Sequence, residues 1–151
     1  MAKNGGMIDV SGKDVTVRTA KASGCVVLGE KAIDIVRKGS CVKGDVLATA
    51  KIAAIQAVKS TPAVIPMCHP ILIEAIDVGF ALSEQDKSVT VTVTVRSSGK
   101  TGVEMEALCG AAAACLTIYD MLKYVNRAMT ITETKLIGKT GGKSGKYKRK
   151  D

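Results

Sequence analysis

Apolar and polar positions alternate along Asp14-Val15-Thr16-Val17-Arg18, and Gly24-Cys25-Val26-Val27-Leu28 keeps the extended character, which predicts strand. The period then changes. Over residues 29–38, Ala32, Ile33, Ile35 and Val36 recur at helical spacing, and Gly39 supplies a stop. Asp45 is placed to cap a second helix over about 46–59, where Leu47, Ala50, Ala54 and Ala57 step by three and four. Ser60-Thr61-Pro62 ends that helix.

From Ile71 the pattern is strand again. Ile76, Val78, Phe80 and Leu82 share one face, and after residues 83–88 the run Val89-Thr90-Val91-Thr92-Val93-Thr94-Val95 alternates without error. This predicts an antiparallel hairpin with valines inward and threonines outward. Thr101-Gly102-Val103-Glu104 has the form of a capping box, opening a long, largely buried helix to about residue 128. Thr130-Ile131-Thr132 and Lys135-Leu136-Ile137 give a last strand. One helix crossing between a hairpin and a final strand reads as a ferredoxin-like α+β fold, an antiparallel sheet with helices on one face. Neither a repeat nor a boundary divides the 151 residues, so one domain is expected.

Composition sharpens this picture in three places. At 46% hydrophobic the chain can build a core; no apolar run approaches a membrane span, and residues 1–6 lack a leader pattern, so a cytoplasmic protein is expected. Five cysteines without a Cys-x-x-Cys pair, beside a single histidine, argue against a structural zinc site and for reduced thiols. Six of the eight net positive charges fall in the last 17 residues, so the basicity belongs to a Gly/Lys tail, expected to be flexible from about 138.

Four groups could carry chemistry. The first is Ile65-Pro66-Met67-Cys68-His69-Pro70, where two prolines hold a thiol and the only imidazole in non-helical backbone. The bland alternative is a hydrogen-bonded loop histidine. The second is Lys43, just before a helix start, which could equally be an exposed loop lysine. The third is Glu104 and Glu106, which a capping box and the helix dipole would explain without function. The fourth is Asp120 with Lys123, an ordinary i, i+3 pair except that it follows a long apolar run.

Geometry limits their cooperation. Glu106 and Asp120 lie about 40° apart in azimuth but about 21 Å apart along a regular helix, so they cannot touch one substrate atom. Either they serve different ends of a large ligand, or a site combines helix ends from different subunits, and a composite site predicts an oligomer. The tail segment Gly138-Lys139-Thr140-Gly141-Gly142-Lys143-Ser144 is no Walker A loop, because Ile137 stands where a glycine is needed. Its glycines and lysines can still clamp phosphate, or be merely a solvated terminus.

Together these segments resemble the family of molybdenum cofactor biosynthesis protein C, the cyclic pyranopterin monophosphate synthases. Ile8-Asp9-Val10-Ser11-Gly12-Lys13, Lys43-Gly44-Asp45-Val46, the Pro66–Pro70 segment, Thr101 to Leu108, Leu116 to Met121 and Gly141 to Gly145 carry the likeness in the family's order. The resemblance implies a ferredoxin-like subunit in a homohexamer, a trimer of dimers, with sites at subunit interfaces. It implies the rearrangement of a cyclised dihydro-GTP to a pterin bearing a cyclic phosphate, with release of pyrophosphate. By position, Asp120 is implied as catalytic with Lys43 and Lys123 as acid/base lysines. Met67, Cys68, His69, Glu104, Met105 and Glu106 are implied to line the substrate, and Lys13, Arg18, Lys139 and Lys143 to meet its triphosphate. Such proton-transfer chemistry requires no metal or redox cofactor, although a divalent ion can accompany the triphosphate. Pro66 and Pro70 then make Cys68 and His69 a rigid positioning wall rather than a metal ligand or nucleophile.

Two other readings compete. Ferredoxin-like sheets bind RNA by stacking bases on aromatic side chains, but this chain has one phenylalanine, three tyrosines and no tryptophan, none within residues 89–95, so no nucleic-acid partner is expected. A scaffold without catalysis is the other.

Overall fold

The computed structural model describes residues 5–150. The elements run β1 (Thr16–Val27), α1 (Glu30–Lys38), α2 (Val46–Lys59), α3 (Thr61–Val64), β2 (Ala75–Ser83), β3 (Ser88–Gly99), α4 (Glu104–Leu122), β4 (Thr130–Thr140) and β5 (Tyr147–Lys148). The strands form one antiparallel sheet in the order β2-β3-β1-β4-β5, the split βαβ arrangement of ferredoxin-like folds with a short fifth strand added. The expected α+β class is borne out. The reading of the opening residues as leaderless falls largely on residues 1–4, outside the described residues.

The hairpin forms as its alternation dictates. Val89, Val91, Val93 and Val95 are fully buried under the helices, while Thr90, Thr92 and Thr94 point to the other face. Burying each valine contributes about 1.5–2 kcal/mol, enough to fix the register against a one-residue slip. Asp45 caps α2 through the Ala48 N–H at 2.9 Å, and Gly39 closes α1 in the left-handed conformation. The buried stripe of α2 is Val46, Ala50, Ala54 and Val58, turned from the predicted one so that Val46 and Val58 replace Leu47 and Ala57.

Helix α4 packs on β1 and β3 beside α2, which itself touches β2. At Gly110 a Cβ would sit 2.8 Å from Val58 Cγ2 and 3.1 Å from Val93 Cγ1, so glycine sets how closely α4 approaches α2 and β3. Contrary to the expectation that no apolar run approaches a span, α4's 19 residues have that length and composition; half of the stretch is buried in this core.

Four local expectations are corrected. The capping box does not form: α4 starts at Glu104 with no side-chain cap, and the Glu104 carboxylate turns to a tertiary partner. The helix stops at Leu122 rather than near 128, because Asn126 donates to the Leu28 carbonyl at 2.8 Å and accepts from the Ala128 N–H. Proline at the first turn of a helix is well placed, and Pro62 accordingly begins the short α3 rather than only ending α2. The last strand is borne out as β4, which takes in both predicted segments and is interrupted where Glu133 adopts φ 55° and the pairing with β1 shifts. Where the tail was expected from about 138, β4 runs on to Thr140, and Tyr147 and Lys148 pair back onto Lys139 and Gly138.

Candidate active site

Even-numbered positions of β1 face the helices: Ala20 and Ala22 are buried beneath them. Thr16 and Arg18 share that parity but lie beyond the N-terminal end of α4, where the sheet is left uncovered. There they floor a cavity of about 580 Å³. Lys13, Arg18, Lys100, Lys139 and Lys143 line it against only two acids, Asp14 and Glu104. Its field favours an anion carrying several charges.

The glycines of the tail shape this cavity. Gly141 and Gly142 have φ of 96° and 74°, and a Cβ on Gly142 would overlap the Arg18 guanidinium. The backbone thus wraps Arg18, whose Nε donates to the Gly99 carbonyl at 3.2 Å. Lys139 sits at the centre, donating to Ser144 Oγ at 2.7 Å and pairing with Glu104 at 2.9 Å. Thr16 adds an orphan: its hydroxyl is the one buried side-chain polar atom among the described residues without a partner. Sequence reading did not single out Thr16, Asp14 or Ser144. The period-2 relation of 14 and 16 to Arg18 was the available signal.

A second compartment of about 340 Å³ adjoins the first, sharing Lys13, Thr101, Gly102 and Glu104 as its wall. Met67, Cys68 and His69 form one side, in irregular backbone as the flanking prolines require. Met105 and Glu106, from the first turn of α4, form another; Ile8 and Val10 close it. The segment carrying Ile8 and Val10 is held by Lys100 Nζ donating to the Ser11 carbonyl at 2.6 Å, and by an Asp9–Ser11 turn.

Glu106 is 2% exposed, and burial pushes its carboxyl above the ordinary glutamate value, with Glu104 adding to the shift. The Cys68 thiol is likewise pushed up, by burial first and then by Glu106 and Cys109, which keeps it protonated rather than nucleophilic.

Lys43, Asp120 and Lys123 form a separate cluster at the far end of α4. Lys123 Nζ lies 2.7 Å from Asp120 Oδ1, and Lys43 Nζ lies 3.2 Å from Oδ2 and 2.9 Å from the Asp120 carbonyl oxygen. Each carboxylate oxygen is thus claimed by a different ammonium. The hydrogen bonds from Lys123 and then Lys43 hold Asp120 below the usual carboxylate range. All three side chains are 41–57% exposed, about 21 Å along α4 from Glu106. The chain therefore assembles the ten predicted binding residues in one groove and the three predicted acid/base residues elsewhere.

The sequence also matches known proteins. A profile of the MoaC family matches residues 7–142. Cyclic pyranopterin monophosphate synthase 3 of Mycobacterium tuberculosis is 48% identical over 145 residues, covering 96% of this chain and 81% of that protein. The cyclic pyranopterin monophosphate synthase of Streptomyces coelicolor is 48% identical over 95% of this chain and 83% of its own length. That of Bacillus thuringiensis is 49% identical over 95% of this chain and 91% of its own length. With a groove divided into a basic compartment and a more apolar one, and this likeness along nearly its whole length, the chain belongs to the MoaC family.

Proposed function

We propose that the protein is a cyclic pyranopterin monophosphate synthase of molybdenum cofactor biosynthesis, a lyase acting on a cyclised dihydro-GTP. The two-compartment groove carries this reading, because a nucleoside triphosphate has the same division. Its phosphates suit the cavity of Lys13, Arg18, Lys139 and Lys143, and its base suits the neighbouring wall of Met67, Cys68, His69, Met105 and Glu106. Glu104, on the shared wall, faces both.

Catalysis is by general acid and base. Opening a reduced purine ring and reclosing it as a pterin moves protons between nitrogen and carbon. Lys43 and Lys123 are the groups to donate and accept them, with Asp120 held anionic between the two ammonium groups. In the phosphate step a substrate hydroxyl attacks the α-phosphorus, and the basic cavity stabilises the departing pyrophosphate. The reading uses no redox cofactor. A divalent ion bound to the triphosphate is compatible with it, and no residue of this chain is assigned to hold one.

The separation of cluster and groove is resolved by assembly. The Lys43–Asp120–Lys123 cluster of one subunit faces the groove of a neighbour, in a homohexamer built as a trimer of dimers in the cytoplasm. Incubating the protein with the cyclised nucleotide tests the activity: pterin and pyrophosphate appear together, whereas a scaffold would yield neither.

A further inference from the structure

Lys43 stands in the loop between α1 and α2, in a turn whose backbone bond runs from the Gly44 N–H to the Cys41 carbonyl at 3.1 Å. Val42 beside it is 78% exposed, and Gly44 adopts φ 107°. The Lys43–Asp120 pair is itself exposed, and exposed ion pairs seldom fix a flexible lysine. A second set of contacts does restrain the loop. The Val42 N–H donates to the Tyr124 hydroxyl oxygen at 3.3 Å, the Tyr124 O–H donates to Cys41 Sγ at 3.8 Å, and the Cys41 S–H donates to the Met121 carbonyl at 3.5 Å.

These bonds form a directional chain, each group donating to the next. Tyr124 uses its hydroxyl as both donor and acceptor, and such chains strengthen their members. The chain runs from the residue preceding Lys43 to the residue following Asp120. Tyr124 itself follows Lys123. The chain thus ties the backbone just before Lys43 to that just after Asp120 and just after Lys123. Tyr124 is 47% exposed, so its hydroxyl contributes little to the core, while α2 stays packed on α4 through Ala54, Val58 and Gly110 without it.

We propose that Tyr124 and Cys41 are positioning residues for Lys43, holding its loop so that its ammonium meets Asp120. This rests on the reading of Lys43, Asp120 and Lys123 as the acid/base centre. The consequence is specific to turnover: loosening the loop withdraws Lys43 from Asp120 and leaves the nucleotide groove untouched.

The test is Tyr124→Phe in the full-length protein, with Cys41→Ala as a second variant that breaks the chain at its other end. Turnover of the cyclised nucleotide and a carboxyl NMR titration of Asp120 are followed in each. We expect kcat to fall about tenfold with KM unchanged within about twofold. We expect the thermal midpoint to hold and the Asp120 titration to move upward, as Lys43's hydrogen bond weakens while that of Lys123 remains. An unmoved Asp120 titration in both variants overturns the positioning role. A shifted titration with unchanged kcat also overturns it as a catalytic device, and locates the error in the assignment of the acid/base centre.

Discussion

Lys139 Nζ lies 2.9 Å from Glu104 Oε1 on the wall shared by the two compartments of the groove. Both side chains are only about a quarter exposed. The ammonium that would meet a phosphate is therefore already partnered by a carboxylate.

From that pair, Glu104→Gln removes the competitor of an incoming anion. Inorganic tripolyphosphate should bind the variant about three- to tenfold more tightly than the unaltered protein, by calorimetry at fixed ionic strength. Unchanged or weaker binding would show that Lys139 is not contested.

The same carboxylate shows why sequence alone stopped short of the site. Thr101 to Glu104 has the spacing of a capping box, a purely local pattern, but Lys139 lies on a distant strand and takes the glutamate away from the helix end. The premature end of α4 has the same origin, since Asn126 bonds to Leu28, 98 residues earlier. Features set by local sequence were legible: the valine and threonine alternation of β3, the Asp45 cap, the non-helical Pro66–Pro70 segment. The separation of Glu106 from Asp120 was legible too, because both lie on one helix. What required the fold was the side of the sheet on which Thr16 and Asp14 join Arg18, and the wrapping of Arg18 by Gly141 and Gly142.

Gly142→Ala should disturb the basic compartment directly. A residue with a Cβ loses about 1–2 kcal/mol in the left-handed conformation, and here the Cβ also displaces the Arg18 guanidinium. We expect KM for the nucleotide to rise about tenfold with kcat little changed, because Arg18 serves binding. A fall in kcat at constant KM would place Arg18 in the chemical step.

Lys43→Ala and Lys123→Ala should each leave the fold intact and lower kcat by about 10² or more, the usual worth of a positioned acid or base. They should differ at Asp120. Lys123 makes the larger contribution to holding that carboxyl down, so its loss should raise the Asp120 titration more than loss of Lys43. Carboxyl NMR of the two variants checks the order, and the reverse order contradicts this geometry.

Glu106 makes stability depend on pH. Its folded value is raised by burial, so the folded protein keeps a proton that the unfolded chain has already released. The contribution of Glu106 to stability is then greatest below the unfolded glutamate range and falls as pH rises from there through the raised folded value. Glu106→Gln should remove that fall and lift the thermal midpoint at neutral pH by a few degrees. Parallel midpoint–pH curves for the two proteins would mean that Glu106 is not paying a burial cost.

We propose above that the acid/base cluster of one subunit completes the groove of another. It is tested by mixing two impaired proteins, Asp120→Asn, which keeps its groove, and Arg18→Ala, which keeps its cluster, at a nucleotide concentration too low to fill the Arg18→Ala groove. After subunit exchange at equal concentrations, about a quarter of the interfaces would join an intact cluster to an intact groove if pairing is random and the site is shared across subunits. We expect pterin formation to return toward about a quarter of the unaltered rate. A mixture no more active than the sum of its two components would contradict the shared site.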